Sequence, residues 1–317
     1  MPGKTLVIGA TGQIGSELVP QLRILKGQEN VVQMGHSSRP PTGPGPSVTA
    51  DVMDIEGVSQ IIKEHDITEV YHLAALLSAV GEHEPQMAWE LNMKGLVNVL
   101  ELARSHRLKV FWPSSIAVFG TGYPRDSTPQ ETVLLPTTMY GVTKVSGELL
   151  CSYYHRRYHV DVRSVRYPGI ISSETPPGGG TTDYAVAIFY EAIRRKRYEC
   201  FVRADTVLPM MYMPDCLNAA VSIMKADIER IGRRDAYNLN SMSFSAADLA
   251  QEITKHIPDM EVRYTPDFRQ GIADTWPRSL DDSEARKDWG WSPEWGLERM
   301  TSDMLEKLRK RLSAESS

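Results

Sequence analysis

The stretch "KTLVIGATGQIG", Lys4 to Gly15, decides the fold. Its first part is a short apolar run ending in glycine, the length of one buried strand, and "GSELVPQLRILKG" after it has helical spacing. Between the two, Gly9, Gly12 and Gly15 fall in the pattern G-x-x-G-x-x-G. Between a strand and a helix, such glycines permit a tight turn and let backbone approach a pyrophosphate. The helix N-terminus adds unpaired N–H groups and a favourable dipole. The expected dinucleotide contacts here are Gly9, Thr11, Gly12, Gln13, Ile14 and Gly15.

The alternation continues downstream. "NVVQMG" reads as a second strand. "SSRPPTGPGPS" reads as a surface loop, because its prolines and glycines forbid regular structure. "DIEGVSQIIKEHD" is a helix, "EVYHLAA" a strand, "EPQMAWELNMKGLVNVLELARSHR" one long helix and "KVFWPSS" a further strand. A helix from Tyr140 to about His159 and the strand "DVRSVRYP" extend the series. Short buried strands separated by longer helices predict the α/β class with a doubly wound parallel sheet of Rossmann type. After about residue 170 the rhythm loosens. "ETPPGGGTTD" is a loop, Tyr184 to Lys196 a helix, "LPMMYMPDCLNAAVSIMKA" a turn leading into a helix, and the tail short helices around tryptophans. The expected division is a dinucleotide-binding domain over 1–170 and a smaller substrate-binding lobe over 171–317, with some chain crossing back to the sheet.

The 317 residues carry a net charge of −5, with 41% hydrophobic and 24% charged side chains. That is the profile of a soluble enzyme and lacks the basic field a nucleic-acid partner calls for. No apolar run approaches the roughly 20 residues that span a bilayer, and because "MPGKTLVIGATG" runs directly into a strand, no signal or transit peptide is expected. Cys151, Cys200 and Cys216 are scattered and form no C-x-x-C pair. Buried inert thiols, no metal site, no disulfide framework and a reducing cytoplasm are therefore expected.

Further cofactor contacts are expected at Asp51 and Val52 of "TADVMD", near the adenine, and at Leu73, Ala74 and Ala75 of "HLAA". Asn92 and the residues Tyr167, Pro168 and Ile170 complete the set. One position departs from the pattern. An NAD site usually ends its second strand with an acidic residue that accepts hydrogen bonds from the adenosine ribose. Here Gly35 stands in that place, followed by His36, Ser37, Ser38 and Arg39. Ser38 and Arg39 could hold a 2′-phosphate or be solvated loop residues, so NAD is expected with NADP open.

"TMYGVTKVSGE" places Tyr140 one helical turn before Lys144. A phenol titrates near ~10 and is a poor base at neutral pH. A neighbouring ammonium and the positive charge of an oxidised nicotinamide favour the phenolate. Ser115 of "PSSIAVFG", 25 residues upstream (140 − 115), offers a hydroxyl to orient an alcohol. In "PPGGGTTDYA" the glycines expose N–H groups suited to a small carboxylate, while Thr181, Thr182 and Asp183 add hydroxyls and an acceptor for an ammonium.

Together "GATGQIG", "HLAA", "PSSIAVFG", "YGVTK", "RYPG" and "DDSEARKDWGW" resemble the extended short-chain dehydrogenases/reductases, in that family's order and over nearly the whole chain. The resemblance implies a catalytic triad of Ser115, Tyr140 and Lys144. Nucleotide-sugar epimerases and dehydratases are the alternative within the family. They need an asparagine where this chain has "RYPGIIS" and an arginine where it has the apolar "VLPMMYMPD". With "LLSAVGE" and "WPRSLDDS", the glycine loop instead resembles the branch of short-chain L-threonine 3-dehydrogenases. That resemblance implies oxidation of the threonine β-hydroxyl to 2-amino-3-oxobutanoate, hydride transfer to the nicotinamide and no metal. Tyr140 would be the general base, Lys144 its electrostatic partner and Ser115 the orienting hydroxyl. Ser78, Ser115, Tyr140, Gly179, Gly180, Thr181, Thr182 and Trp276 would surround the amino acid, the glycine loop would close over it, and helices near 87–106 and 140–158 would pair in a homodimer.

Other signals read as structural. Trp289 and Trp291 are expected in the core of the small lobe, Arg194 to Glu199 at a solvated helix end, and Met210, Met211 and Met213 between the lobes. His72 is expected to be a hydrogen-bonded structural histidine.

Overall fold

Lys4–Ile8 forms β1, buried along Thr5–Ile8 because helices cover both faces of the sheet it joins. The computed structural model describes residues 3–178 and 180–315; Gly179, expected beside the substrate, lies outside the described residues. Next come β2 (Val31–Gly35), β3 (Ser47–Thr49), β4 (Ile67–His72) and β5 (Lys109–Phe111). The two-residue β6 (Ser114–Ser115) follows, and after a loop and a helix the chain makes β7 (Asp161–Arg163), β8 (Val165–Tyr167) and β9 (Gly169–Ile171). Six parallel strands form the central sheet in the order β3-β2-β1-β4-β5-β7. The direction of winding reverses between β1 and β4, which opens a crevice at the carboxyl ends of those strands.

Helices α1 (Gln13–Lys26), α2 (Ile55–Glu64), α3 (Ser78–His83), α4 (Pro85–Trp89), α5 (Gly95–His106) and α6 (Met139–Tyr158) belong to this half. Side chains alternate along β1. Val7 joins Leu18 and Leu22 of α1 in one core, while Leu6 and Ile8 join Val58 of α2, Leu96 of α5 and Cys151 of α6 in the other. The helix expected over residues 84–107 is helical throughout but carries a π-helical turn, Glu90–Lys94, between α4 and α5. Its cause is Asn92, whose buried amide is drawn to backbone at Leu76 and to Thr143.

The later chain holds α7 (Tyr184–Arg195), β10 (Arg197–Cys200), β11 (Val207–Tyr212), α8 (Met213–Lys225), β12 (Tyr237–Asn238), β13 (Met242–Ser245), α9 (Ala246–Thr254), β14 (Glu261–Tyr264), α10 (Phe268–Ala273), α11 (Ser283–Trp289) and α12 (Leu297–Glu315). The expected turn at "LPMMYMP" is instead strand β11, paired with β9 and β13. Pro209 is tolerated because only β13 lies beside it; pairing with β9 begins at Met210. Met210 faces the lobe core and Met211 the core under the sheet, so the methionines bridge the two as expected.

The chain also crosses back. β12 pairs with β8 in parallel, and α8 packs with α1 against the sheet. Trp289 and Trp291 correct the reading that put them in the lobe: they pack with Tyr237 and Leu217 in the core under the sheet. The stretch 278–300, expected as short helices around tryptophans, holds the seven-residue α11 and the start of the 19-residue α12, whose Met300, Met304 and Leu308 enter the lobe core. All three cysteines are buried and free. Among the described residues, no helix is long and apolar enough to cross a membrane.

Candidate active site

Gly9 ends β1 at φ +81°, and a Cβ there would lie 2.7 Å from the backbone nitrogen of Ala74. Only glycine satisfies both the turn and that approach. Helix α1 then opens with Gly12 as its N-cap, with no side-chain cap and no acid in its first turn. Gly9, Gly12, Gln13, Ile14 and Gly15 form one wall of a cleft, and the open helix N–H groups there suit a pyrophosphate. Leu73, Ala75, Tyr167, Pro168 and Ile170 face them. Ala74 contributes the backbone against which Gly9 packs. Asn92 stands off the cleft wall: Leu76 N donates to its carbonyl at 2.8 Å, and its amide donates to Thr143 Oγ1 at 3.2 Å.

At the far end of the cleft the fold gathers Ser78, Ser115, Tyr140, Lys144, Gly180, Thr181, Thr182 and Trp276. Thr138 caps α6 by accepting from Gly141 N at 3.1 Å, which sets where Tyr140 and Lys144 emerge. Ser115 Oγ accepts from Ala117 N at 3.2 Å and caps the following 3-10 turn, leaving its proton for the cleft. Lys144 is buried, donates to Pro113 O at 2.6 Å and lies 4.4 Å from the Trp112 ring and 5.4 Å from the Tyr140 ring.

Burial lowers the Lys144 pKa to about 7, with Cys151 and Glu148 acting the other way. Burial also raises Tyr140 to about 12, opposed by hydrogen bonding with Ser115. With the protein's own groups alone, burial thus favours the neutral phenol; the expected phenolate is one beside an oxidised nicotinamide, whose positive charge acts in the opposite direction. His72 is buried and neutral, its pKa lowered to about 3 by burial and then by Lys144. Its Nδ1 has no hydrogen-bond partner among the described residues, which at that nitrogen departs from the expected hydrogen-bonded structural histidine.

The glycine loop also departs from its reading. The N–H groups of Gly178 and Gly180, expected to be open to a substrate carboxylate, donate to the Asp183 carboxylate at 2.6 and 2.9 Å. Thr181 and Thr182 remain on the cleft wall beside Asp183. Trp276 is held from outside the lobe: Arg125 Nε donates to its carbonyl at 2.7 Å, and Tyr123 Oη to Thr275 O at 2.7 Å. Sequence reasoning missed Leu77, Pro113, Ser114, Ile116 and Gly169 on the wall. Their signal was adjacency, since each sits one or two positions from a residue that was named.

The adenosine end is built differently. Gly35 is buried, and a Cβ on it would lie 2.8 Å from Pro41 Cδ and 2.9 Å from Arg39 O. The loop after β2 thus fills the space from which a carboxylate would grow. Ala50 N donates to Gly35 O at 3.0 Å, which brings Asp51 beside the strand end, while Val52 is buried. Exposed His36 bonds Ser38 Oγ at 2.8 Å and lies 3.7 Å from Asp51. Arg39 and Thr11 line a second groove with Ser16 and Arg23, one that shares the Gly9–Gly12 turn with the main cleft.

This architecture has close counterparts. Residues 5–239 match the NAD dependent epimerase/dehydratase family. The mitochondrial L-threonine 3-dehydrogenase of Bos taurus is 45% identical over 306 residues, 95% of this chain and 82% of that protein. The holo form of the GalE-like L-threonine dehydrogenase from Cupriavidus necator is 50% identical, with TM-score 0.93 over 96% of this chain and 99% of that one. A monomeric L-threonine 3-dehydrogenase from a metagenome, in its apo form, is 46% identical, with TM-score 0.93 over 97% and 99%. With its six-stranded parallel sheet and glycine-rich first turn, the chain belongs to the NAD dependent epimerase/dehydratase family, the extended short-chain dehydrogenases/reductases.

Proposed function

We infer that this chain is an L-threonine 3-dehydrogenase, oxidising the 3-hydroxyl to give 2-amino-3-oxobutanoate. The observation that carries the reading is the end of the cleft, where Ser115, Tyr140 and Lys144 meet Ser78, Thr181, Thr182 and Trp276. These groups suit a small zwitterion. Ser115 orients the substrate hydroxyl and Tyr140 takes its proton, while Lys144 faces the phenol ring and is held by Pro113. Held between the Gly9–Gly15 turn and Tyr167, Pro168 and Ile170, a nicotinamide cofactor would supply a positive charge and an acceptor for the hydride on C3. Thr181 and Thr182 hold the amino acid's polar groups, and Trp276 excludes water above them. Among the described residues lining the cleft, Lys144 is the only cation. A nucleotide-sugar diphosphate has no other counter-charge there, which disfavours epimerase chemistry. The test follows NAD reduction by absorbance with L-threonine, and conversion of UDP-glucose by chromatography of the sugar nucleotides, because epimerisation is redox-neutral and leaves no net NADH. Turnover of threonine that disappears in Tyr140→Phe supports the reading, and turnover of the nucleotide sugar alone overturns it.

NAD is the proposed oxidant. Gly35 leaves the strand end without a carboxylate of its own, so NADP is the second candidate; Asp51, beside that end and 3.7 Å from His36, is an acidic group its 2′-phosphate would meet. A homodimer is proposed through Met87 and Trp89 of α4 and Val142, Leu149 and Tyr153 of α6, all exposed apolar side chains. Sedimentation at micromolar concentration decides: a dimer that Leu149→Glu dissociates supports it, and a monomer, as the metagenome relative is described, ends it. Three buried free thiols suit a reducing compartment, here the cytoplasm, which cell fractionation checks.

A further inference from the structure

Beneath the cleft lies a set of buried polar groups with no place in the chemistry just described. Glu148, four residues after Lys144 on α6, accepts from Ser114 Oγ at 2.5 Å through one carboxylate oxygen. Arg166 of β8 grips both oxygens, with Nε at 2.9 Å and Nη2 at 2.8 Å. Its other nitrogen donates to Gln130 O at 3.1 Å and Asn238 Oδ1 at 3.0 Å. Ser114, Glu148 and Arg166 are each 2% exposed. A buried ion pair of this kind is weak evidence for stability, because desolvation offsets most of the attraction. Its location suggests another role.

We propose that Ser114, Glu148 and Arg166 are positioning residues that hold the Ser115 hydroxyl in register with Tyr140 and Lys144, an inference that rests on the reading of those three as the triad. Three consecutive residues carry the argument. Pro113 O receives Lys144, the Ser114 hydroxyl is committed to Glu148, and Ser115 turns to the cleft. Ser114 also borders the cleft, but side chains along a strand point to opposite faces, so committing the Ser114 hydroxyl to Glu148 sets the side on which Ser115 presents its own. Glu148 and Lys144 share one face of α6 a turn apart, so the same carboxylate ties the Tyr140 helix to β6. Arg166 extends the tie to β8, whose next residues, Tyr167 and Pro168, form the cofactor wall. The groups acting on Lys144 are Glu148, Cys151 and Tyr140 on its own helix, Trp112 and Pro113 before β6, and His72 on β4, on which Lys144 acts in turn. Glu148 is the one carboxylate among them.

The experiment is a double-mutant cycle on the full chain. Ser114→Ala removes the inward tie and leaves Glu148 paired with Arg166. The expected result is a loss of more than about fivefold in kcat, with KM for threonine unchanged and the loss absent in a Ser115→Ala background. A smaller loss, or one that persists in that background, overturns the proposal, because a merely structural role lowers activity with or without Ser115. If Ser114→Ala fails to fold, Ser114→Cys is read by the same criteria. If the wild-type protein oxidises no threonine, the function has failed on its own. Positioning is then read from crystals, as the Ser115 Oγ to Tyr140 Oη separation: a longer one in Ser114→Ala supports the proposal and an unchanged one overturns it.

Discussion

The two ends of the cleft are held by different physics. At the catalytic end Lys144, Ser114 and Glu148 are buried, each polar group is tied to another element, and burial displaces the pKa values of Tyr140 and Lys144 in opposite directions. At the adenosine end His36, Ser38 and Arg39 are exposed on a loop, with the buried Gly35 and Val52 beneath it. Electrostatic interactions strengthen where water is excluded and fade where it is not. The chemistry is therefore set where single changes cost most, and the choice of cofactor where they cost little.

The largest effect should follow from Tyr140→Phe, which removes the proton acceptor and little volume. We expect kcat to fall by about 10²–10⁴-fold with NAD affinity retained, measured by turnover and by cofactor fluorescence. A mild loss would break the contrast between the two ends. Lys144→Met probes the same end through stability. The buried Lys144 titrates at about 7, below the ordinary lysine value of about 10.4. Between those values the unfolded chain binds a proton that the folded chain does not, so wild-type stability rises with pH across that window. Lys144→Met should be more stable than wild type at pH 6, by an amount that shrinks toward pH 10, followed by thermal unfolding at both. A difference independent of pH would mean that Lys144 stays charged in the fold, held by Pro113 and Trp112.

What the sequence disclosed follows the same contrast. The glycine turn, the Tyr140 helix and the cleft residues around them were legible because local rules act on them: a periodicity, a spacing and a turn type. β11 was not legible, because "LPMMYMP" carries two prolines and becomes a strand only through β9 and β13, which are far away in sequence. The tryptophans of "KDWGW" were read as core, correctly, but in the wrong half, since the return of β12 to β8 is a long-range event with no local mark. The π-helical turn depends on one buried amide, Asn92, finding partners at Leu76 and Thr143. Asp183 closing on the glycine N–H groups could be suspected from "GGGTTD", yet only geometry decides whether that carboxylate serves the loop or a ligand.

Gly35→Asp restores the usual acidic residue and so tests the adenosine end directly. Its Cβ meets Arg39 O and Pro41 Cδ within 3 Å, so the loop must shift. A destabilisation of about 1–3 kcal/mol is expected by chemical denaturation, without a gain in NAD affinity. Tighter NAD binding with unchanged stability would show that the loop yields freely and that the departure at Gly35 is incidental.

The smallest effect, and the one that sharpens the comparison most, belongs to Arg39→Ala. Arg39 is exposed and has no ion-pair partner among the described residues, and it lines a groove with Thr11 and Ser16 beside the glycine turn. A 2′-phosphate placed there gains a charge-assisted hydrogen bond; the 2′-hydroxyl of NAD gains none. Exposure limits the worth of that bond to about 1 kcal/mol. Arg39→Ala should therefore weaken NADPH binding by roughly fivefold and leave NADH binding unchanged, a split measured by calorimetry with the two reduced cofactors. It should also flatten the salt dependence of NADPH binding, since the lost contact is ionic. Equal weakening of both cofactors would place Arg39 on the pyrophosphate and return the adenosine end to the same tight regime as the catalytic one.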